Sequence, residues 1–134
     1  MTSILLVEDR KLLRIASERI LAKAGYCVTT AADGEAALQA AIDQSPDLIL
    51  LDMLLPKLSG PEVLHALKKH SKTADVPVIV LSSLSQKNED RLKEDGATAY
   101  FEKSRMDPGQ DCQPLLDLIR STLQRSAKRT GGES

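Results

Sequence analysis

Five polar residues stand where short apolar runs stop. Glu8 and Asp9 follow Ile4-Leu5-Leu6-Val7, Asp52 follows Leu48-Ile49-Leu50-Leu51, Ser82 follows Val78-Ile79-Val80-Leu81, and Lys103 lies just past Ala99-Tyr100-Phe101. Two to three carboxylates, a hydroxyl and an ammonium suit phosphoryl chemistry. Two carboxylates about 4 Å apart repel by roughly 4 kcal/mol at an effective dielectric near 20. Three clustered ones stay ionised together only if cations sit among them, and one lysine is too little. An oxygen-only set without His or Cys prefers a hard ion, and Mg²⁺ commonly binds through few carboxylates plus water and phosphate. A carboxylate nucleophile beside that ion would carry an aspartyl-phosphate.

The elements that must position these residues are legible from periodicity. The first, third and fourth runs are apolar throughout, as in strands buried on both faces of a parallel sheet. Cys27 to Ala31 and Ala99 to Phe101 supply two weaker strands. Between them the spacing predicts helices. Leu12, Ala16, Ile20 and Ala24 recur every four residues before Gly25. Asp33 caps a second helix with Ala37, Leu38, Ala41 and Ile42 on one face, ended by Pro46. Pro61 begins a third, with Val63, Leu64 and Leu67 inward. The segment from Gln86 to Asp95 offers almost only Leu92 to a core, so it is the least firmly held. Pro114 opens a fifth, with Leu115, Leu118, Ile119 and Leu123 as its stripe.

Five strand-helix units predict a single α/β domain. In such folds ligands bind at the carboxyl ends of the strands, the rim where the five polar residues converge. Taken singly, each has a plainer reading. Asp9 could cap the first helix, Ser82 or Ser83 the fourth, and Lys103 could be a solvated loop residue. Asp52 resists this, wedged between four apolar residues and Met53-Leu54-Leu55-Pro56.

Composition narrows the class further. The chain has 134 residues, enough for one domain, and 42% are hydrophobic, which excludes wholesale disorder. A formal charge of -1 argues against direct nucleic acid binding through phosphate neutralisation. Aromatics at 2% argue against base-stacking platforms and require an aliphatic core. Cys27 and Cys112 have neither disulfide-framework nor zinc spacing, which fits a reducing, cytoplasmic setting. No apolar run approaches the ~20 residues of a membrane span.

The motifs LLVED (Leu5 to Asp9), LILLDMLLP (Leu48 to Pro56), Gly60, PVIVLSS (Pro77 to Ser83) and GATAYFEK (Gly96 to Lys103) resemble the receiver domain of two-component response regulators. The resemblance implies a flavodoxin-like, doubly wound, five-stranded parallel sheet of order 2-1-3-4-5 with five helices. The resemblance runs from about Ile4 to Leu123, so the domain is expected over 1–127, and the small, polar, glycine-containing 128–134 is expected to be a disordered tail. It further implies that Asp52 is the phosphoacceptor. Glu8, Asp9, Asp52 and the backbone carbonyl of Leu54 would hold Mg²⁺, and Lys103 would pair with the phosphoryl oxygens. Ser82 would donate its hydroxyl to them, and Tyr100 would swing inward as that pocket empties. The donor would be a histidine kinase or a histidine phosphotransfer protein, facing Leu13 and Ile15. The molecule would be a monomer or a phosphorylation-linked dimer, and no enzyme beyond self-phosphorylation and slow self-dephosphorylation.

The sequence departs from the family in places. Ser104 replaces the usual proline after the lysine, and a non-proline cis bond costs ~2.5–4 kcal/mol, which predicts a trans Lys103–Ser104 peptide. Leu54 and Leu84 are apolar and cannot orient an attacking water, which predicts slow loss of the phosphoryl group. Ala97-Thr98-Ala99 replaces an acidic pair common in DNA-binding members, and the loop from Ser104 to Gln113 is long. A phosphorylation-independent interaction module is the alternative. An aspartyl phosphatase would need an acid at Leu54, and Glu8-Asp9 would repel the phosphate of a flavin.

Overall fold

A computed structural model describes residues 2–53, 60–82, 96–102 and 112–131. Its strands are β1 (Ser3–Val7), β2 (Cys27–Ala31), β3 (Leu48–Asp52), β4 (Val78–Ser82) and β5 (Ala99–Glu102). The helices among the described residues are α1 (Lys11–Lys23), α2 (Gly34–Gln44), α3 (Gly60–Lys69) and α4 (Gln113–Gly131). The helix expected over Gln86 to Asp95 and the loop after Ser104 lie outside the described residues.

All strand pairs are parallel and the order is β2-β1-β3-β4-β5. β1, β3 and β4 occupy the middle, which is why their sequences are apolar at successive positions. Their side chains alternate between two cores. Leu5, Val7, Ile49, Leu51, Val78 and Val80 face Ala37 and Ala41 of α2 and Val63, Leu64 and Leu67 of α3. Ile4, Leu6, Leu48, Leu50, Ile79, Leu81 and Phe101 face Leu21 of α1 and Leu115 and Ile119 of α4. Each fully buried leucine or isoleucine contributes about 1.5–3 kcal/mol relative to exposure.

The helix boundaries follow local chemistry. Asp33 caps α2, its Oδ1 accepting the Ala36 N–H at 2.8 Å. At the end of α1, Gly25 takes φ +99°, its N–H reaching the Ala22 carbonyl and the Tyr26 N–H the Leu21 carbonyl. That pair of bonds is a Schellman stop, and the left-handed position explains the glycine.

Two expectations are corrected. The buried line of α1 is Leu13, Ser17 and Leu21, not Leu12, Ala16, Ile20 and Ala24. Leu12 is 84% exposed. Both lines have four-residue spacing, and small polar Ser17 disguised the true one. The expected tail from Lys128 is helical as far as Gly131. Propagating an existing helix adds one hydrogen bond per residue ordered, and Ala127, Lys128 and Arg129 are compatible with it.

Candidate functional site

The strand order reverses direction between β1 and β3, because the chain leaves β1 outward to β2 and returns on the other side to β3. Helices crossing to opposite faces leave a crevice at the carboxyl ends of these two strands. Glu8 and Asp9 follow β1 directly, and Asp52 is the last residue of β3. Val7 pairs with Leu51, so the next residues on the two strands arrive side by side.

The result is a cluster of three carboxylates, with one oxygen from each of Glu8, Asp9 and Asp52 lying within 4.8 Å of the others. Glu8 is 2% and Asp52 1% exposed, whereas Asp9 is open to solvent. Burying two carboxylates beside a third is costly without cations, so the donor set fits a small hard ion at the mouth of the crevice. Asp9 does not serve as the helix cap: the N-cap of α1 is Arg10, without a side-chain cap bond.

Ser82 closes β4 beside Asp52 on the same rim. It is buried at 2% exposure and paired in register with Glu102 of β5. The Met53 N–H donates to the Leu81 carbonyl at 3.2 Å, which ties the chain after Asp52 to the strand carrying Ser82. Tyr100 sits on β5 opposite Val80, half-buried and packed against the core that contains Val7 and Leu51. Glu8, Asp9, Asp52 and Ser82 are thus brought to one rim, with Tyr100 behind it. Lys103, Leu54, Leu84 and the Lys103–Ser104 peptide lie outside the described residues. Leu13 is half-buried against the core, and Ile15 is half-buried on α1.

Sequence reasoning missed two cations beside the carboxylates. Arg14 reaches back from the first turn of α1, its Nη1 donating to the carbonyl oxygens of Glu8 at 3.0 Å and Asp9 at 3.4 Å. Arg10 places its Nε 4.0 Å from Glu8 Oε1, and its backbone N–H donates to Glu8 Oε2 at 3.4 Å. The signal was available, since both arginines sit within six residues of Glu8 at a strand-to-helix turn.

Residues 4–109 match the family model described as response regulator receiver domain. The DNA-binding dual master transcriptional regulator RpaA of Synechocystis is 34% identical over 128 residues, covering 94% of this chain and 51% of that protein. The polar-differentiation response regulator DivK of Brucella anthropi is 34% identical over 102 residues, covering 75% of this chain and 83% of its own. The chain spans about half the length of the transcriptional regulators it matches. Among solved structures, chemotaxis response regulator CheY4 of Vibrio cholerae superposes with a TM-score of 0.81 at 30% identity, covering 91% of this chain and 98% of that one. The receiver domain of a Pseudomonas aeruginosa sensor histidine kinase, with a magnesium ion coordinated in its active site cleft, gives 0.79 at 28% identity, covering 92% and 98%. Receiver domains are generally switches and not enzymes, and they bind Mg²⁺ at an acidic pocket and partner with histidine kinases or phosphotransfer proteins. The fold order, the carboxylate cluster and these matches agree: the chain belongs to the response regulator receiver domains, the phosphorylation-dependent switches of two-component signalling.

Proposed function

We propose that this domain accepts a phosphoryl group on Asp52 from a histidine kinase or histidine phosphotransfer protein. The observation that carries this reading is the meeting of Glu8, Asp9 and Asp52 at the crevice between β1 and β3. A carboxylate oxygen of Asp52 attacks phosphorus. The new O–P bond forms as the donor's N–P bond breaks, and the imidazole leaves with the electron pair. Glu8, Asp9 and Asp52 would hold Mg²⁺, with the Leu54 carbonyl as a further ligand by resemblance. When bound, the ion supplies positive charge to the phosphoryl oxygens. Lys103, which directly follows β5 in the chain, would pair with the same oxygens.

The added charge at Asp52 favours a donor hydroxyl, and Ser82 on the adjoining strand is the group that answers it. Tyr100, already packed against the core behind that strand, follows the serine inward. Leu54 and Leu84 offer no group to orient water, so the acyl phosphate decays slowly by self-dephosphorylation. The donor docks at the amino-terminal end of α1, where exposed Leu12 joins Leu13 and Ile15. Output runs through a protein partner or onward relay, in the cytoplasm usual for the family, from a monomer or a phosphorylation-linked dimer and without direct nucleic acid binding.

Intact mass after incubation with acetyl phosphate and Mg²⁺, beside an Asp52→Asn control, tests the reading. Gain of one phosphoryl group by the wild type alone is expected. No gain by folded wild-type protein would return the domain to the phosphorylation-independent interaction module.

A further inference from the structure

We infer that Arg10 is an internal counter-ion that competes with Mg²⁺ for Glu8 and so sets the metal concentration at which the site becomes competent. The inference rests on the Mg²⁺ reading above. Glu8 is the fixed member of the pair. Its side chain is 2% exposed, its N–H bonds the Ala31 carbonyl at 3.0 Å, and its own carbonyl is held by Arg14. The Arg10 side chain is the movable member, 61% exposed, with its Nε 4.0 Å from Glu8 Oε1. A guanidinium there offsets part of the repulsion among three carboxylates when no metal is bound. A divalent cation entering the same cluster repels it, so metal binding includes moving the arginine into solvent. That movement needs no change in the strands, because the side chain is already mostly outside.

Three consequences separate this from a general charge effect. Arg10→Gln should bind Mg²⁺ roughly two- to five-fold more tightly by titration calorimetry at low ionic strength, the range expected of a largely exposed ion pair. The gain should shrink in about 0.5 M NaCl, where exposed charges are screened within a few ångströms. Lys11→Gln removes the same charge from an exposed neighbour and should change the affinity much less. Thermal unfolding gives the linked readout: Arg10→Gln should melt below wild type in EDTA and approach it in saturating Mg²⁺.

Equal affinity of wild type and Arg10→Gln, or an equal gain in Lys11→Gln, would overturn the competing role while leaving the metal site intact. Absence of Mg²⁺ binding by folded wild type would overturn the metal reading and this inference with it.

Discussion

Arg14 Nη1 donates to the Glu8 carbonyl oxygen at 3.0 Å, clamping the turn that carries two of the three clustered carboxylates to the first turn of α1. The same nitrogen reaches the Asp9 carbonyl at 3.4 Å. The guanidinium therefore acts on the backbone of the site, whereas the Arg10 side chain faces the Glu8 carboxylate.

Arg14→Ala should destabilise the domain by about 1–2 kcal/mol in urea unfolding, the low end for charged hydrogen bonds because one of the two lost is part-buried and the other exposed. It should also weaken Mg²⁺ binding, because Glu8 and Asp9 lose their common anchor. Arg14→Lys retains charge but not the planar fork, so partial rescue is expected. Unchanged stability in Arg14→Ala would show that the clamp is ornamental.

Leu12 is a second target. At 84% exposure it contributes nothing to the core, so Leu12→Ser should shift stability by no more than about 0.5 kcal/mol. Labelling by acetyl phosphate should be unchanged, since the small donor does not touch α1. Transfer from a phosphohistidine protein should slow about five- to ten-fold, the effect of removing an apolar contact from an interface centre. Equal slowing with both donors would place Leu12's effect in the chemistry instead.

Gly96 precedes β5 with φ +110°, and a Cβ there would stand 2.8 Å from Lys68 Cγ. Lys68 is not free to yield without loss, because its Nζ donates to the carbonyls of Ala74 at 3.3 Å and Val76 at 3.2 Å. Gly96→Ala should cost about 2–3 kcal/mol, of which ~1–2 is the left-handed backbone. In a Gly96→Ala, Lys68→Ala double variant the crowding part should disappear, giving a non-additive cycle in unfolding free energy.

Thr73 is fully buried after α3, its Oγ1 donating to the Leu67 carbonyl at 2.6 Å. Thr73→Val keeps the volume and leaves that carbonyl without its hydroxyl, a loss of about 1–3 kcal/mol. Thr73→Ser should recover part of it. A Thr73→Val midpoint equal to wild type in urea would mean that the carbonyl finds another donor.

The legible parts of the fold were those where one physical demand dominates. β3 and β4 need apolar side chains on both faces, and no helix packed on one side would show that run. Ala37 and Ala41 of α2, and Val63, Leu64 and Leu67 of α3, likewise gave themselves away by spacing. On α1 two four-residue lines lay side by side, and the apolar one was the wrong choice. Burial of Ser17 depends on which face the sheet presents, which periodicity alone does not contain.

For the site, residue types and their places along the chain were enough to define the chemistry: carboxylates at the ends of apolar runs, a hydroxyl at the end of another, and no His or Cys among them. Those properties belong to residue types and to strand ends. The folded arrangement brings one oxygen each of Glu8, Asp9 and Asp52 within 4.8 Å of one another, because β1 and β3 pair with Val7 opposite Leu51. It also decided the roles of Arg10 and Arg14. A long cationic side chain can reach many places from one backbone position, and the direction it takes is set by the turn between β1 and α1, not by its spacing along the chain.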